Sequence, residues 1–178
     1  MKSVKQERLN ILQGSDCSVL WELKDNYLRF FQIELSGAIA KIPSLKNQKI
    51  PGRNFISNKA QGHLRAMTDL YRFRTSGAQL SFPPETDVYC QVIIAQGSRV
   101  DEDNGYAAIK DWLEPPENRN WGIGIITDDK FVTGEARHCR RIDENFDRTL
   151  ITVRLLSEVK KAVKDFTKII LNQSYNEK

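Results

Sequence analysis

The amino-acid sequence predicts a single α/β domain in which helices flank a mixed sheet of four or five strands. The chain has 178 residues, of which 40% are apolar, enough to bury one sizeable core. Short apolar runs typical of strands lie at 28–35, 88–95 and 150–155. Apolar residues at helical spacing predict helices over 58–73 and 103–113 and from Ser157 onward.

The strand predictions rest on alternation and on β-branched residues. Phe31, Ile33 and Leu35 alternate with polar residues, which predicts a half-buried first core strand at 28–35. The run 88–95 is apolar and rich in β-branched residues, which predicts a mostly buried strand. Shorter candidates lie at 19–23, at the end of a loop spanning 121–127, and at 150–155, which we take as the last strand of the sheet.

Each predicted helix has one apolar side. In the helix 58–73 this side consists of Ala60, Leu64, Met67 and Tyr71. His63 points away from it, so we expect His63 at the surface. In the helix 103–113, Asp103 is a suitable N-cap, and the core-facing side consists of Tyr106, Ile109 and Leu113. Ser157 is the predicted cap of the last helix.

Carboxylates follow two of the predicted strands. Asp101 and Asp103 come after the buried strand, and the pair Asp128-Asp129 follows the next apolar run. Neighbouring anions repel unless a cation or a proton lies between them, and Mg²⁺ prefers oxygen ligands. On an extended segment, adjacent side chains point to opposite sides, so only one of Asp128 and Asp129 is expected to join the first pair. Three carboxylates would suit Mg²⁺ and phosphodiester hydrolysis, whereas spacing alone leaves an ordinary solvated turn open.

Basic residues concentrate in two regions. Residues 41–75 contain eight Lys or Arg residues and one acid, a local net charge of +7 against +4 for the whole chain. A stretch with this charge is attracted to the phosphates of nucleic acid. The candidate DNA-binding residues are Lys46, Lys49, Arg53 and Lys59 in this region and Arg137, Arg140 and Arg141 downstream. Two alternatives stay open: a solvated basic loop, and a strand edge whose arginines pair with Glu135, Asp143 and Glu144.

Composition excludes several classes of protein. No apolar run approaches the roughly 20 residues that span a bilayer, and the N-terminus lacks a signal peptide, so we expect a cytoplasmic protein without membrane contact. Two histidines leave little material for a His-based nucleophilic site. A calcium-binding EF-hand loop is excluded because Tyr106 stands where that loop needs glycine. The three cysteines match neither a disulfide framework nor a zinc-binding pattern, so we expect them to be reduced: Cys17, Cys90 and Cys139.

Two acidic motifs and one upstream loop occur in a characteristic order. The first motif, Asp101-Glu102-Asp103-Asn104, opens a helix, and Asp111 follows within that helix. The second motif is Ile-Ile-Thr-Asp128-Asp129-x-x-Val132. The upstream stretch is Ile-Pro-Ser-Leu-Lys-Asn-Gln at 42–48, leading to Phe-Ile-Ser at 55–57 and a helix. Together these pieces span about residues 30–155, and their order resembles the RusA family of Holliday junction resolvases.

The resemblance implies a RusA-like fold and a set of active-site residues. It implies that Asp101, Asp103 and Asp129 are the catalytic, metal-binding carboxylates and that Mg²⁺, or else Mn²⁺, is the cofactor. The accessory members are Asn104, Asp111 and Asp128. Family members often carry a Lys four residues after the second Asp of the first motif, where this chain has Ala107. Lys110, about 60° from the Asp103 side of the helix, is our candidate to supply part of that charge in catalysis.

The resemblance implies a Mg²⁺-dependent, structure-selective endodeoxyribonuclease that resolves Holliday junctions by paired symmetric nicks in DNA recombination and repair. We expect a homodimer on four-way junction DNA, because a two-fold enzyme matches a two-fold substrate. Two alternatives remain: a non-cleaving junction-binding protein, which Ala107 favours, and a nuclease for other branched nucleic acids. We divide the chain into an N-terminal extension (1–27), a nuclease domain (28–156) and a C-terminal helix (157–178) packed on the domain or the dimer partner.

Overall fold

The computed structural model describes residues 3–43, 57–97, 102–117, 119–142 and 147–164. Its helices, in chain order, are α1 (Val4–Leu12), α2 (Asn58–Arg74), α3 (Glu102–Leu113) and α4 (156–164). Its strands are β1 (Asp16–Lys24), β2 (Tyr27–Ser36), β3 (Val88–Gln96), β4 (Val132–Arg141) and β5 (Arg148–Leu155). Short 3-10 helices lie at Gly37–Ala40 and Asp129–Phe131. In this described part, one mixed sheet is flanked by helices, which confirms the predicted α/β class.

The five strands lie side by side in the order β1-β2-β5-β3-β4. Neighbouring strands pair antiparallel, except that β4 runs parallel to β3. A parallel pair needs a crossover connection, and α3 lies within the connection between β3 and β4. β5 is the last of the described strands along the chain, as predicted, but it occupies the centre of the sheet between β2 and β3.

The core lies between the sheet and the helices α2 and α3. Phe31, Ile33 and Leu35 on β2 are completely buried, as their alternation predicts. The predicted apolar sides of the two helices are buried as well: Ala60, Leu64, Met67, Tyr71, Tyr106, Ile109 and Leu113. All three cysteines are free thiols, as expected. Burial raises the pKa of the Cys90 thiol to about 12, which suits a packing residue and not a nucleophile.

The apolar run 121–127 is not a strand, so that prediction was wrong. Ile125 and Ile126 are buried, but the chain here packs against the end of α3 instead of a neighbouring strand. The backbone amides of residues 123–125 donate hydrogen bonds to carbonyl oxygens at the end of the helix, those of Trp112, Leu113 and Glu114. The last carbonyl groups of a helix have no hydrogen-bond donors within the helix, and the amides of residues 123–125 are the donors for three carbonyl groups at the end of α3. The next strand, β4, begins only at Val132.

His63 is buried, so its predicted place at the surface was wrong. Only 6% of the residue is exposed, and its Nε2 lies 2.9 Å from the carbonyl oxygen of Ile39. Ile39 belongs to the 3-10 helix Gly37–Ala40. The spacing of apolar residues within 58–73 gives no information about this contact with a distant part of the chain. Burial lowers the pKa of His63 to about 4, so the ring is neutral and its Nε2–H donates to Ile39.

The neutral state of His63 predicts that the protein loses stability in mild acid. The unfolded chain takes up this proton near pH 6.5, whereas the folded protein resists it until about pH 4. The free energy of unfolding should therefore fall by about 3 kcal/mol in all as the pH drops from 6.5 to 4. Urea unfolding across this range measures the slope. His63→Gln should flatten it and the exposed-site control His138→Gln should keep it; an unchanged slope in His63→Gln would contradict the assignment.

Two helix starts differ from their predictions by one residue. α3 begins at Glu102, so Asp103 lies inside its first turn and is not the N-cap. α4 begins at residue 156, so Ser157 is likewise within the helix. The shift in α3 leaves its predicted apolar side buried, because the spacing of the apolar residues and not the cap sets which side is buried. In α4, by contrast, Val163 is 62% exposed.

The residues assigned to an N-terminal extension contribute to the sheet. β1 pairs with β2 along its length, from Asp16 opposite Ser36 to Lys24 opposite Tyr27. α1 lies on α2, where Arg8 and Asp69 form an ion pair of 3.4 Å. Among the residues that the structure describes, no helix combines the length and apolar character needed to cross a bilayer.

Candidate functional site

A tight turn at Gly122 brings the chain back to the end of α3. Gly122 has a φ of +118°, and a Cβ there would lie 2.7 Å from the carbonyl oxygen of Glu114, so glycine is required. Its amide donates to Oγ1 of Thr68 on α2 at 3.2 Å. The same oxygen accepts a hydrogen bond from Nε1 of Trp112 at 3.1 Å. This buried Thr68 oxygen therefore ties the turn to both helices and fixes the place where Glu114 emerges.

Three carboxylates meet beside this turn. Glu114, Asp128 and Asp129 each offer an oxygen within 4.8 Å of the others, and we call them the acidic cluster. The backbone amide of Asp129 donates to Oε1 of Glu114 at 2.8 Å, which joins the two segments directly. Asp128 caps a 3-10 turn by accepting from the amide of Lys130 at 3.0 Å. Because this segment turns and does not stay extended, both aspartates reach Glu114. The expectation that only one of them joins Asp101 and Asp103 concerned a different grouping of carboxylates and stays a prediction.

Negative charge is concentrated around the acidic cluster. Partial burial raises the pKa of Asp111, and the negative charges of Glu114 and Asp129 raise it further. The hydrogen bonds of Asp128 with the amide and side chain of Lys130 lower its pKa. Arg119 and Lys110 oppose this rise in the pKa of Asp111. Carboxylate oxygens are the ligands that Mg²⁺ and Mn²⁺ prefer. The donor set therefore fits a divalent cation.

Basic side chains of the same chain also contact the acidic cluster. Each carboxylate has one: Lys110 Nζ lies 3.7 Å from Oδ2 of Asp129, Arg119 Nη2 lies 3.0 Å from Oε2 of Glu114, and Lys130 Nζ lies 3.0 Å from Oδ2 of Asp128. Lys110 thus stands next to a predicted catalytic carboxylate, although on the Asp129 side and not beside Asp103. Such pairs limit the rotamers of the carboxylates and orient them.

The structure places Asp103 at the other end of α3. Along a helix rising about 1.5 Å per residue, Asp103 and Leu113 are about 15 Å apart, and Asp103 does not belong to the acidic cluster among the described residues. Its side chain is 79% exposed and pairs with Arg137 at 2.7 Å. Asp101 and the side chain of Asn104 lie outside what the structure describes, so their roles stay predictions.

The predicted DNA-binding residues divide into three groups. Lys46, Lys49 and Arg53 lie outside the described residues. Lys59, Arg140 and Arg141 are exposed, and no carboxylate in the described ranges pairs with them. Arg137 instead pairs with Asp103 and with Glu135, as the strand-edge alternative foresaw for Glu135. Asp143 and Glu144, the other partners of that alternative, lie outside the described residues.

The acidic and basic regions start from the same end of the sheet. Asp147, only 7% exposed, accepts from the amide of Gly97 at 2.9 Å through Oδ1. Its Oδ2 lies 3.2 Å from Nζ of Lys41. Lys41 begins the basic region, and Gly97 is the last described residue before the first acidic motif. The buried carboxylate of Asp147 therefore contacts both Lys41, the first residue of the basic region, and Gly97, which precedes the first acidic motif.

Sequence reasoning missed Glu114 and Arg119. Glu114 follows the last residue of α3 and lies three residues after Asp111, the spacing that places side chains on one side of a helix. That spacing could have indicated that Glu114 and Asp111 lie on one side of the helix. It could not show that Glu114 meets Asp128 and Asp129, because this depends on the turn at Gly122, which is held by the distant residue Thr68. Arg119 reaches Glu114 through the same turn and stacks over the ring of Trp121, with Cζ 4.6 Å from the ring centroid.

Comparison of the chain with models of protein families and with curated proteins finds no match. Its function is therefore inferred from the residues described above and from the order of its motifs.

Proposed function

We propose that the protein is a Mg²⁺-dependent, structure-selective endodeoxyribonuclease that resolves four-way DNA junctions as a homodimer. The observation that carries this proposal is the acidic cluster, in which three carboxylates converge within a chain of net charge +4. A basic protein that gathers carboxylates at one point can attract a polyanion and still hold a divalent cation there. The order of the motifs, which resembles RusA resolvases, supports the choice of junction DNA.

In this proposal the residues of the acidic cluster hold the cation. When bound, Mg²⁺ supplies positive charge that stabilises the transition state of phosphodiester hydrolysis and makes a bound water a better nucleophile. Lys110 orients Asp129, and Arg119 orients Glu114 through the contacts given above. Asp101 and Asp103 are proposed to act at the start of α3 as a second acidic position.

The basic residues are proposed to position the DNA. Lys59, Arg140 and Arg141 are exposed and suited to phosphate contacts. From their charge alone, Lys46, Lys49 and Arg53 are proposed to make such contacts as well. Phosphate contacts orient a nucleic acid without reading its sequence, so selectivity would come from the shape of the junction. A homodimer would present two such surfaces to the two symmetric strands.

The proposal predicts paired, Mg²⁺-dependent nicks in a synthetic four-way junction. The measurement compares equal concentrations of labelled junction, flap, duplex and RNA, first in metal-free buffer and then with Mg²⁺ or Mn²⁺. We expect symmetric nicks in the junction only after metal is added. We also expect sedimentation at about twice the monomer mass of 20.5 kDa.

Other outcomes would redirect the assignment. A junction that is bound tightly but left whole with either metal would identify a junction-binding protein without cleavage, the alternative that Ala107 favours. Faster cleavage of flap or RNA would identify a nuclease for another branched or single-stranded substrate.

A further inference from the structure

β1 is an edge strand with an uncharged middle. Among the strands that the structure describes, only β2 pairs with it, so no described strand lies along its other side. It is nine residues long, lacks proline, and carries no charge between Cys17 and Trp21. Proteins usually protect an edge strand with charges, prolines or a covering element, because its free peptide groups pair readily with another strand. The middle of β1 is therefore suited to pairing.

Exposed apolar side chains collect on this strand and its hairpin. Leu20 is 58% exposed, Trp21 37% and Leu23 50%. Tyr27, which pairs with Lys24 at the end of the hairpin, is exposed as well. Only three other large apolar residues in the described part of the chain are this exposed, and they lie apart on α1, α2 and α4. A group of exposed apolar residues on one strand marks an interaction surface.

The other edge strand, β4, differs from β1 in its charge. The second half of β4 is basic and includes Arg137, His138, Arg140 and Arg141. Charged side chains are a common protection of a strand edge against pairing. The sheet is therefore suited to extension at β1 and not at β4. Pairing of β1 with β1 of a second copy uses the same surface on both, so the assembly closes at two copies.

We propose that two copies of the chain pair through β1, antiparallel about a two-fold axis at Leu20, and join their five-stranded sheets into one continuous sheet. The inference rests on the proposed function only for the homodimer, and it names the surface that forms it. A strand added at a free edge gains backbone hydrogen bonds, and the opposed side chains determine which strand is accepted.

The sequence of β1 is complementary to itself in this arrangement. Leu20 is the central residue of Asp16–Lys24, so it lies opposite Leu20 of the second copy. Asp16 then lies opposite Lys24 of the second copy, which places opposite charges at both ends of the paired strands. The other opposed residues are Val19 with Trp21, Cys17 with Leu23, and Ser18 with Glu22. Apolar residues therefore meet apolar residues in the middle of the pair.

The contacts that Asp16 makes within its own chain are compatible with this pairing. Arg74 and the backbone amide of Cys17 both donate to Oδ1 of Asp16. The carboxylate is 63% exposed, and its second oxygen, Oδ2, takes no part in these two contacts. A carboxylate accepts several hydrogen bonds, so Oδ2 can accept from an ammonium group as well. Asp16 can therefore pair with Lys24 of the second copy without losing Arg74.

Sedimentation over a range of protein concentrations, in EDTA and without DNA, tests this surface. Leu20→Lys should weaken self-association at least about tenfold, because two ammonium groups would then face each other at the two-fold axis. Leu20→Glu should weaken it similarly, because two carboxylates would face each other. An equimolar mixture of the two variants should associate again, since opposite charges then meet across the axis.

Leu9→Lys is the matched control. Leu9 is 43% exposed and lies on α1, so the same change there should leave self-association unchanged. Trp21 provides a local readout, because the other two tryptophans, Trp112 and Trp121, are buried. Acrylamide should quench the fluorescence of Trp21 more strongly in Leu20→Lys than in the wild type, because the edge is then uncovered. Circular dichroism checks that each variant is folded.

Two results would overturn the proposed surface alone. These are a dimer that persists unchanged in both Leu20 variants, and variants that stay separate when mixed. A wild-type protein that stays monomeric at every concentration would overturn this surface and the homodimer together, and would leave the edge to a strand of another protein. A dimer that depends on Leu20 but cuts no nucleic acid would contradict the nuclease function and support the surface.

Discussion

Asp129→Asn should lower the rate of Mg²⁺-dependent nicking at least about 100-fold while the protein still binds junction DNA. Asp129 carries one of three carboxylates that converge within 4.8 Å, and the change to an amide removes a full negative charge with little change in shape. Its backbone amide keeps the hydrogen bond to Glu114, so the turn should stay in place. Single-turnover nicking of a labelled junction, with binding measured in EDTA, provides both readouts.

Asp69→Asn is the matched control for this prediction. Asp69 is 40% exposed and pairs with Arg8 at 3.4 Å, while Asp129 is 47% exposed and pairs with Lys110 at 3.7 Å. The two aspartates therefore have similar exposure and one basic partner each, but Asp69 lies on α2 outside the acidic cluster. Equal nicking by Asp129→Asn and Asp69→Asn would mean that the acidic cluster has no part in cleavage.

Gly122→Ala should destabilise the protein by about 2–4 kcal/mol and reduce nicking as well. A Cβ at this position would lie 2.7 Å from the carbonyl oxygen of Glu114, and the φ of +118° is unfavourable for any other residue. The turn would have to move, and Glu114 would move with it. Urea unfolding measures the loss of stability, and nicking below the unfolding transition measures the effect on the site.

Gly124→Ala separates backbone strain from displacement of Glu114. Gly124 belongs to the same segment and has a φ of +68°, but its Cβ would meet the nearest atom, Cα of Pro115, at an ordinary 3.7 Å. We expect a loss of about 1 kcal/mol from the left-handed backbone and nearly unchanged nicking. Equal effects of the two substitutions would show that the contact with Glu114 does not matter.

Local patterns in the sequence were sufficient to predict most of the fold. The alternation around Phe31 and the helical spacing around Ile109 each report which side of an element is buried, a property that neighbouring residues determine. The predictions for His63 and for the run 121–127 were wrong for the same reason, because both depend on contacts with residues far away in the sequence. The burial of His63 depends on the distant residue Ile39, and residues 123–125 bond to the end of α3 and not to a strand.

The candidate site was only partly predictable for the same reason. Asp129, Asp128 and Lys110 were chosen from the sequence, and they lie together in the structure. Glu114 joins them because Gly122 and Thr68 hold a turn across two helices, and the sequence contains no local sign of that contact. The distance between Asp103 and Asp129 likewise follows from the direction of α3, which a motif order does not specify.

The central place of β5 has a consequence for how the chain folds during synthesis. β1 with β2 and β3 with β4 can each pair early, but only β5 joins the two pairs, and it leaves the ribosome after all four. Until then the inner edges of β2 and β3 expose unpaired backbone groups, which can pair with other chains. Contacts between residues so far apart in sequence also form slowly. We therefore expect the nascent protein to depend on chaperones more than its modest size suggests.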